Sequence, residues 1–272
     1  TFGSVTLRDH QEPVFQTIYH GFKEKKIRAF LQDGKGGRGK TYIACALIRK
    51  FIDDGILNDP MVSWRQHPFV VFCPMAVAEK WRRTIEDFGL GSLLARRKIL
   101  IFESSSFSGF LGKQFFEEEE DIYVDPPVYR TLLKPTMFPF FTVVDECHEY
   151  VHLSSSRTKC IEALINSEAE HILWMSATPG ECVNDLNLFV RSIPFSFQGM
   201  KVTKVNFEIF AAAHDETPHI ANAAAMKRLR NTLSNYIISM PYNRPAHKAI
   251  NIVQIIPFEK PVVPTQAERI AD

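Results

Sequence analysis

Apolar positions in this chain follow two alternating patterns. Short, nearly unbroken apolar runs occupy residues 27–32, Phe69–Cys73, 98–102, 140–144 and 171–175. Between them lie longer stretches in which apolar residues return at helical spacing, such as Val14, Phe15, Ile18 and Phe22, or Val77, Trp81, Ile85 and Phe88. The first pattern predicts buried strands and the second predicts helices with one apolar face. The expected helices cover a stretch opening at Leu7, then 42–48, 76–88, 157–165, 184–193 and 222–236. Runs buried on both faces and separated by helices predict an α/β fold, a mainly parallel sheet with helices on both faces.

The rhythm fails in three places. Residues 53–67 read as polar and irregular, with Gly55 and Pro60. Residues 104–124 carry the triplet Ser104-Ser105-Ser106, Gly109, Gly112 and the acidic run 117–121. That run reads as a solvated loop, and it would repel a phosphate backbone. After Pro194 the pattern weakens. A further strand is expected at 249–256, and Pro257, Pro261 and Pro264 read as an extended linker. The expected organisation is one lobe over 1–240, then a final strand and the start of a linker over 241–272.

Composition narrows the class. The 272 residues are 45% hydrophobic and carry a formal net charge of +1. No global basic field attracts nucleic acid, so such a partner would need a local patch. The five cysteines include no C-x-x-C pair, which suits buried reduced thiols better than a disulfide framework or a zinc module. No apolar run has transmembrane length, and no membrane partner is expected. The chain opens on Thr1 and is expected to be a piece of a longer protein.

Candidate chemistry sits where strands end. Residues 34–41 read G-x-x-x-x-G-K-T between a strand and a helix. Gly34, Gly36, Gly37 and Gly39 let the backbone curl so that N–H groups converge on phosphate oxygens, at a helix N-terminus whose dipole favours anions. Lys40 would reach the β- and γ-phosphates of a nucleotide, and the Thr41 hydroxyl would bind Mg²⁺. The run 140–144 ends in Asp145, Glu146, Cys147 and His148. At the C-terminal edge of a parallel sheet such acids face the ligand crevice. Asp145 is the candidate Mg²⁺ ligand, Glu146 the base for an attacking water, and His148 a sensor of the γ-phosphate. Ser176 and Thr178, after the run 171–175, have hydroxyls that could bridge to His148. The Gln11 amide could both donate to and accept from an adenine edge. A zinc site at Cys147, His148 and His152 fails on ligand count and spacing.

Taken in order, Gln11, the GKGGRGKT loop, Phe72-Cys73-Pro74, the DECH box and the SATP segment at residues 176–179 resemble the first RecA-like lobe of a superfamily 2 helicase-like ATPase. Residues 7–11 resemble the L-R-x-Y-Q opening of the Swi/Snf type, and Pro74 followed by Trp81 resembles its P…W segment. SATP stands where many members carry T-G-T-P, and Glu149-Tyr150-Val151 departs from the usual basic and lysine-asparagine positions. The resemblance implies ATP and Mg²⁺ as cofactors, with duplex DNA or chromatin as track. It also implies a nuclear location, and a second RecA-like lobe whose arginines complete the site. The isolated chain is accordingly expected to hydrolyse ATP very slowly. Two other readings stand beside it, an RNA helicase lobe of the DExH type and a non-hydrolysing ATP-binding scaffold. Intact Lys40, Thr41, Asp145 and Glu146 argue against the scaffold.

Overall fold

The computed structural model describes residues 2, 4–34, 37–106, 113, 115–121, 128–134, 138–167 and 169–240. Its strands are β1 (Ala29–Asp33), β2 (Phe69–Cys73), β3 (Ile99–Glu103), β4 (Phe116–Asp121), β5 (Val128–Leu133), β6 (Phe141–Asp145), β7 (His171–Ser176), β8 (Ser196–Phe197), β9 (Met200–Lys201) and β10 (Ile237–Ser239). Six of them form one sheet in the order β10-β1-β7-β6-β2-β3. Every pairing in that sheet is parallel.

The two-residue period of each strand explains why both faces are apolar. Phe30, Val71, Val143 and Leu173 point to one core, packed under α1 (Glu12–Lys23), α2 (Lys40–Asp53) and the helix Met75–Asp87. Leu31, Val70, Val144 and Trp174 point to the other, packed under the helices Ser156–Asn166, Phe207–His214 and Ala223–Thr232. Continuous apolar runs were therefore the signature of strands covered twice. The five cysteines are free and buried.

Four expectations need correction. The first helix starts at Glu12 rather than Leu7, because residues 8–11 close a tight turn in which the Arg8 carbonyl accepts from the Gln11 and Glu12 N–H groups. The stretch 53–67 is partly ordered. It holds a 3₁₀ turn, Ile56–Asn58, and a short helix, Pro60–Ser63, whose Asp59 cap accepts from the Met61 N–H. The acidic run is a strand, not a loop: β4 pairs antiparallel with β5, placing Glu119 opposite Arg130. Its acids stay in solvent at Glu117, Glu118 and Glu119, while Phe115, Phe116 and Leu133 bury the end at which Phe116 pairs with Leu133. The stretch read as one helix over 184–193 is a 3₁₀ turn, Val183–Leu186, followed by the helix Asn187–Ser192.

Residues Thr1–Pro241 cluster as one compact unit. The strand expected at 249–256 and the linker after it lie outside the described residues. Among the described residues no helix is long and apolar enough to cross a membrane.

Candidate active site

Three neighbouring strands end together. In the register of the sheet Asp33 of β1 stands beside Ser176 of β7, and Met175 of β7 stands beside Asp145 of β6. The Gly34 N–H continues the ladder by donating to the Ser176 carbonyl at 3.2 Å. The glycine loop, the acidic box and the SATP segment thus leave the sheet at one edge, although more than a hundred residues separate the first from the second.

The loop after β1 turns through Gly37 and Gly39, whose φ angles of 76° and 82° are left-handed. Lys35 and Gly36 lie outside the described residues. At Gly39 a side chain is excluded twice, by φ and because an added Cβ would come 2.0 Å from Gln11 Nε2. Gln11 is buried, its Oε1 accepts from the Arg8 N–H at 2.9 Å, and its Nε2 donates to the Arg38 carbonyl at 3.2 Å. Its amide braces the loop from behind. Lys40 opens α2 with its Nζ donating to the Gly34 carbonyl at 2.7 Å, so the ammonium is folded over the loop. No side chain caps α2, and its first turn holds no acid. Its first N–H groups and positive dipole end are left for an anion.

Asp145 is buried at the end of β6. Its Oδ2 accepts from the Trp81 indole N–H at 2.8 Å and its Oδ1 from the Glu146 N–H at 3.0 Å. Burial pushes the Asp145 carboxyl above the usual carboxylate range, while the indole N–H and the Lys40 ammonium pull the other way. Glu146 takes the left-handed conformation, φ 49° and ψ 52°, uncommon for a residue with a side chain, and a 3₁₀ turn over Cys147–Tyr150 follows. That turn brings His148 Nδ1 within 3.0 Å of Ser176 Oγ and 3.4 Å of Glu146 Oε2. Ser176 Oγ also accepts from the Thr178 N–H at 3.0 Å. Ser176 itself makes the bridge to His148. Thr178 joins through its main chain, and its side chain is exposed.

Two contacts here had no sequence signal of their own. The Trp81–Asp145 bond lay hidden in an ordinary apolar helix stripe. Arg230, on the helix Ala223–Thr232, forms an ion pair with Asp33 at the root of the loop.

The family model described as "Type III restriction enzyme, res subunit" matches residues 4–181. The chain belongs to that family. The matched stretch holds the glycine loop, the DECH box and the SATP segment. Among solved structures, the Sulfolobus solfataricus SWI2/SNF2 ATPase core in complex with dsDNA is similar, with a TM-score of 0.57 and 18% identity over 88% of this chain and 45% of that one. The Sulfolobus solfataricus SWI2/SNF2 ATPase core domain gives a TM-score of 0.56 and 17% identity over 90% and 45%. The chain therefore spans less than half the length of these structures, and the fold it shares with them is the RecA-like one expected. Among curated proteins nothing matches.

The residues of this family member suit a magnesium nucleotide. Thr41 supplies a hydroxyl and Asp145 a carboxylate, the hard oxygen donors that Mg²⁺ prefers. The uncapped α2 terminus and the folded-over Lys40 suit the phosphates it accompanies. Among the described residues no group of three or more histidine, cysteine, aspartate and glutamate side chains is arranged to hold a metal ion.

Proposed function

We propose that this chain is the ATP-binding lobe of a DNA-dependent ATPase and translocase of the Swi/Snf helicase-like type. One observation carries the reading. Adjacent ends of β1, β7 and β6 put Lys40 and Thr41, the pair Asp145–Glu146 and the pair His148–Ser176 at a single sheet edge.

Each residue then has a task. The loop N–H groups, the start of α2 and Lys40 receive the triphosphate. Thr41 and Asp145 hold Mg²⁺, which when bound offsets charge on the phosphate oxygens. Glu146 accepts the proton of the attacking water, and its left-handed backbone sets the carboxylate beside His148. His148 links that carboxylate to Ser176 on the neighbouring strand, a path by which the nucleotide state reaches the rest of the lobe. Gln11 holds the loop and reaches adenine by exchanging its Arg38 partner for the base.

Duplex DNA as track is supported by the DNA-bound structural neighbour. A second RecA-like lobe, chromatin as the setting and a nuclear location belong to the same reading and rest on the Swi/Snf resemblance. The test is steady-state ATPase of a protein containing both lobes, with duplex DNA or duplex RNA added. DNA should stimulate it. Glu146→Gln should keep nucleotide and lose turnover by about 10²-fold or more. Stimulation by RNA alone would transfer the chain to the DExH type, and undiminished hydrolysis by Glu146→Gln would remove the assigned base.

A further inference from the structure

The helix Met75–Asp87 follows β2 directly and turns one large side chain onto the acidic box. Trp81 is fully buried, and its indole N–H donates to Asp145 Oδ2 at 2.8 Å across 64 residues of sequence. The other oxygen, Oδ1, accepts from the Glu146 N–H. A carboxylate tied at both oxygens is held to one orientation, with its remaining lone pairs free. An indole N–H only donates and does not titrate, so it neither competes for a cation nor leaves with a proton. The other two tryptophans are placed differently. Trp174 donates to Ser192 Oγ at 3.0 Å on the opposite face, and Trp64 is 55% exposed.

We propose that Trp81 is a positioning residue for the metal, its N–H fixing the Asp145 carboxylate in the orientation that holds Mg²⁺. This rests on the reading of Asp145 as a metal ligand. Hydrogen-bond partners of ligating side chains typically contribute about 10–100-fold in metal affinity. Phenylalanine at position 81 fills much of the same space and leaves Oδ2 without its donor. The side chain therefore sets the metal requirement through one atom, separately from its packing.

Binding of a fluorescent ATP analogue, titrated with Mg²⁺ and repeated in EDTA, tests this. Trp81→Phe should need about tenfold more Mg²⁺ for half its metal-dependent gain in affinity, with affinity in EDTA unchanged. A second measurement needs only the wild-type fold. In ¹⁵N-labelled protein the Trp81 indole resonance, identified by its loss in Trp81→Phe or by assignment if that variant does not fold, should shift when Mg²⁺ is added to the analogue-bound protein. The Trp174 resonance should stay in place. An unchanged Mg²⁺ requirement in Trp81→Phe, or an unmoved Trp81 signal while the wild type gains affinity from Mg²⁺, overturns the proposal. A wild type indifferent to Mg²⁺, with Asp145→Asn equally indifferent, instead overturns the metal-ligand reading beneath it.

Discussion

His148 Nδ1 lies 3.0 Å from the Ser176 hydroxyl, joining the turn after β6 to the end of β7. Ser176 is fully buried, and its oxygen also accepts the Thr178 N–H. Ser176→Ala removes both bonds without touching Lys40, Asp145 or Glu146. In a two-lobed protein, basal ATP hydrolysis should stay within about twofold, while stimulation by DNA should fall about fivefold or more, a coupling loss near 1 kcal/mol. Thr178→Ala alone should do little, because its contribution comes from the main chain. Parallel loss of basal and stimulated rates in Ser176→Ala would mean general damage to the lobe.

Lys40→Ala should weaken ATP binding by about tenfold or more, since a charge-assisted hydrogen bond contributes roughly 1.5–3 kcal/mol. The side chain's protein partner is the Gly34 carbonyl within its own loop, so the fold should survive. Labelled-nucleotide binding, alongside the thermal midpoint, checks both halves.

Gly39→Ala combines a left-handed φ of 82° with a Cβ that would sit 2.0 Å from Gln11 Nε2. The backbone term is about 1–2 kcal/mol, and the clash adds to it. In a Gln11→Ala background the clash disappears and the backbone term stays. Urea unfolding of the two single variants and the double should therefore show a favourable coupling above about 0.5 kcal/mol. Strict additivity would show that Gln11 does not brace the loop.

His171 at the start of β7 is packed among Phe22, Phe51 and Phe140, with ring centroids 4.8, 5.8 and 5.0 Å away. Its Nδ1 has no hydrogen-bond partner. Burial lowers its pKa from 6.5 to about 4. Between those values the unfolded chain binds a proton that the folded chain refuses, so stability falls as pH drops through that window and is unaffected above it. The loss by pH 4 should approach about 3 kcal/mol. His171→Phe suits the aromatic surroundings and should flatten the difference between unfolding curves at pH 7.5 and pH 5. An unchanged pH dependence in that variant would place the titration elsewhere.

The site's parts were legible because each is a local device. A loop that turns repeatedly through left-handed backbone favours glycine, a strand covered on both faces favours an unbroken apolar run, and phosphate and Mg²⁺ favour an N-terminus, a lysine and oxygen donors. Residues 34–41, 145–148 and 176–179 carry these features in their own letters. The sheet's strands over residues 29–33, 69–73, 99–103, 141–145 and 171–176 did likewise.

Tertiary structure decided what lies beside what. The hairpin β4–β5 was hidden because acids disfavour strands locally, and it forms with the pair Phe116–Leu133 buried at one end while Glu117, Glu118 and Glu119 stay wet. The edge strand β10 is three residues long, too short for a periodicity, and exists through its pairing with β1. Spacing along the chain could not say that β7 separates β1 from β6, which is what sets Ser176 beside His148. Nor could it say that the Trp81 indole reaches Asp145. Such neighbours are chosen by the burial of whole faces and by the pairing of every buried polar group, and both depend on residues far apart in sequence.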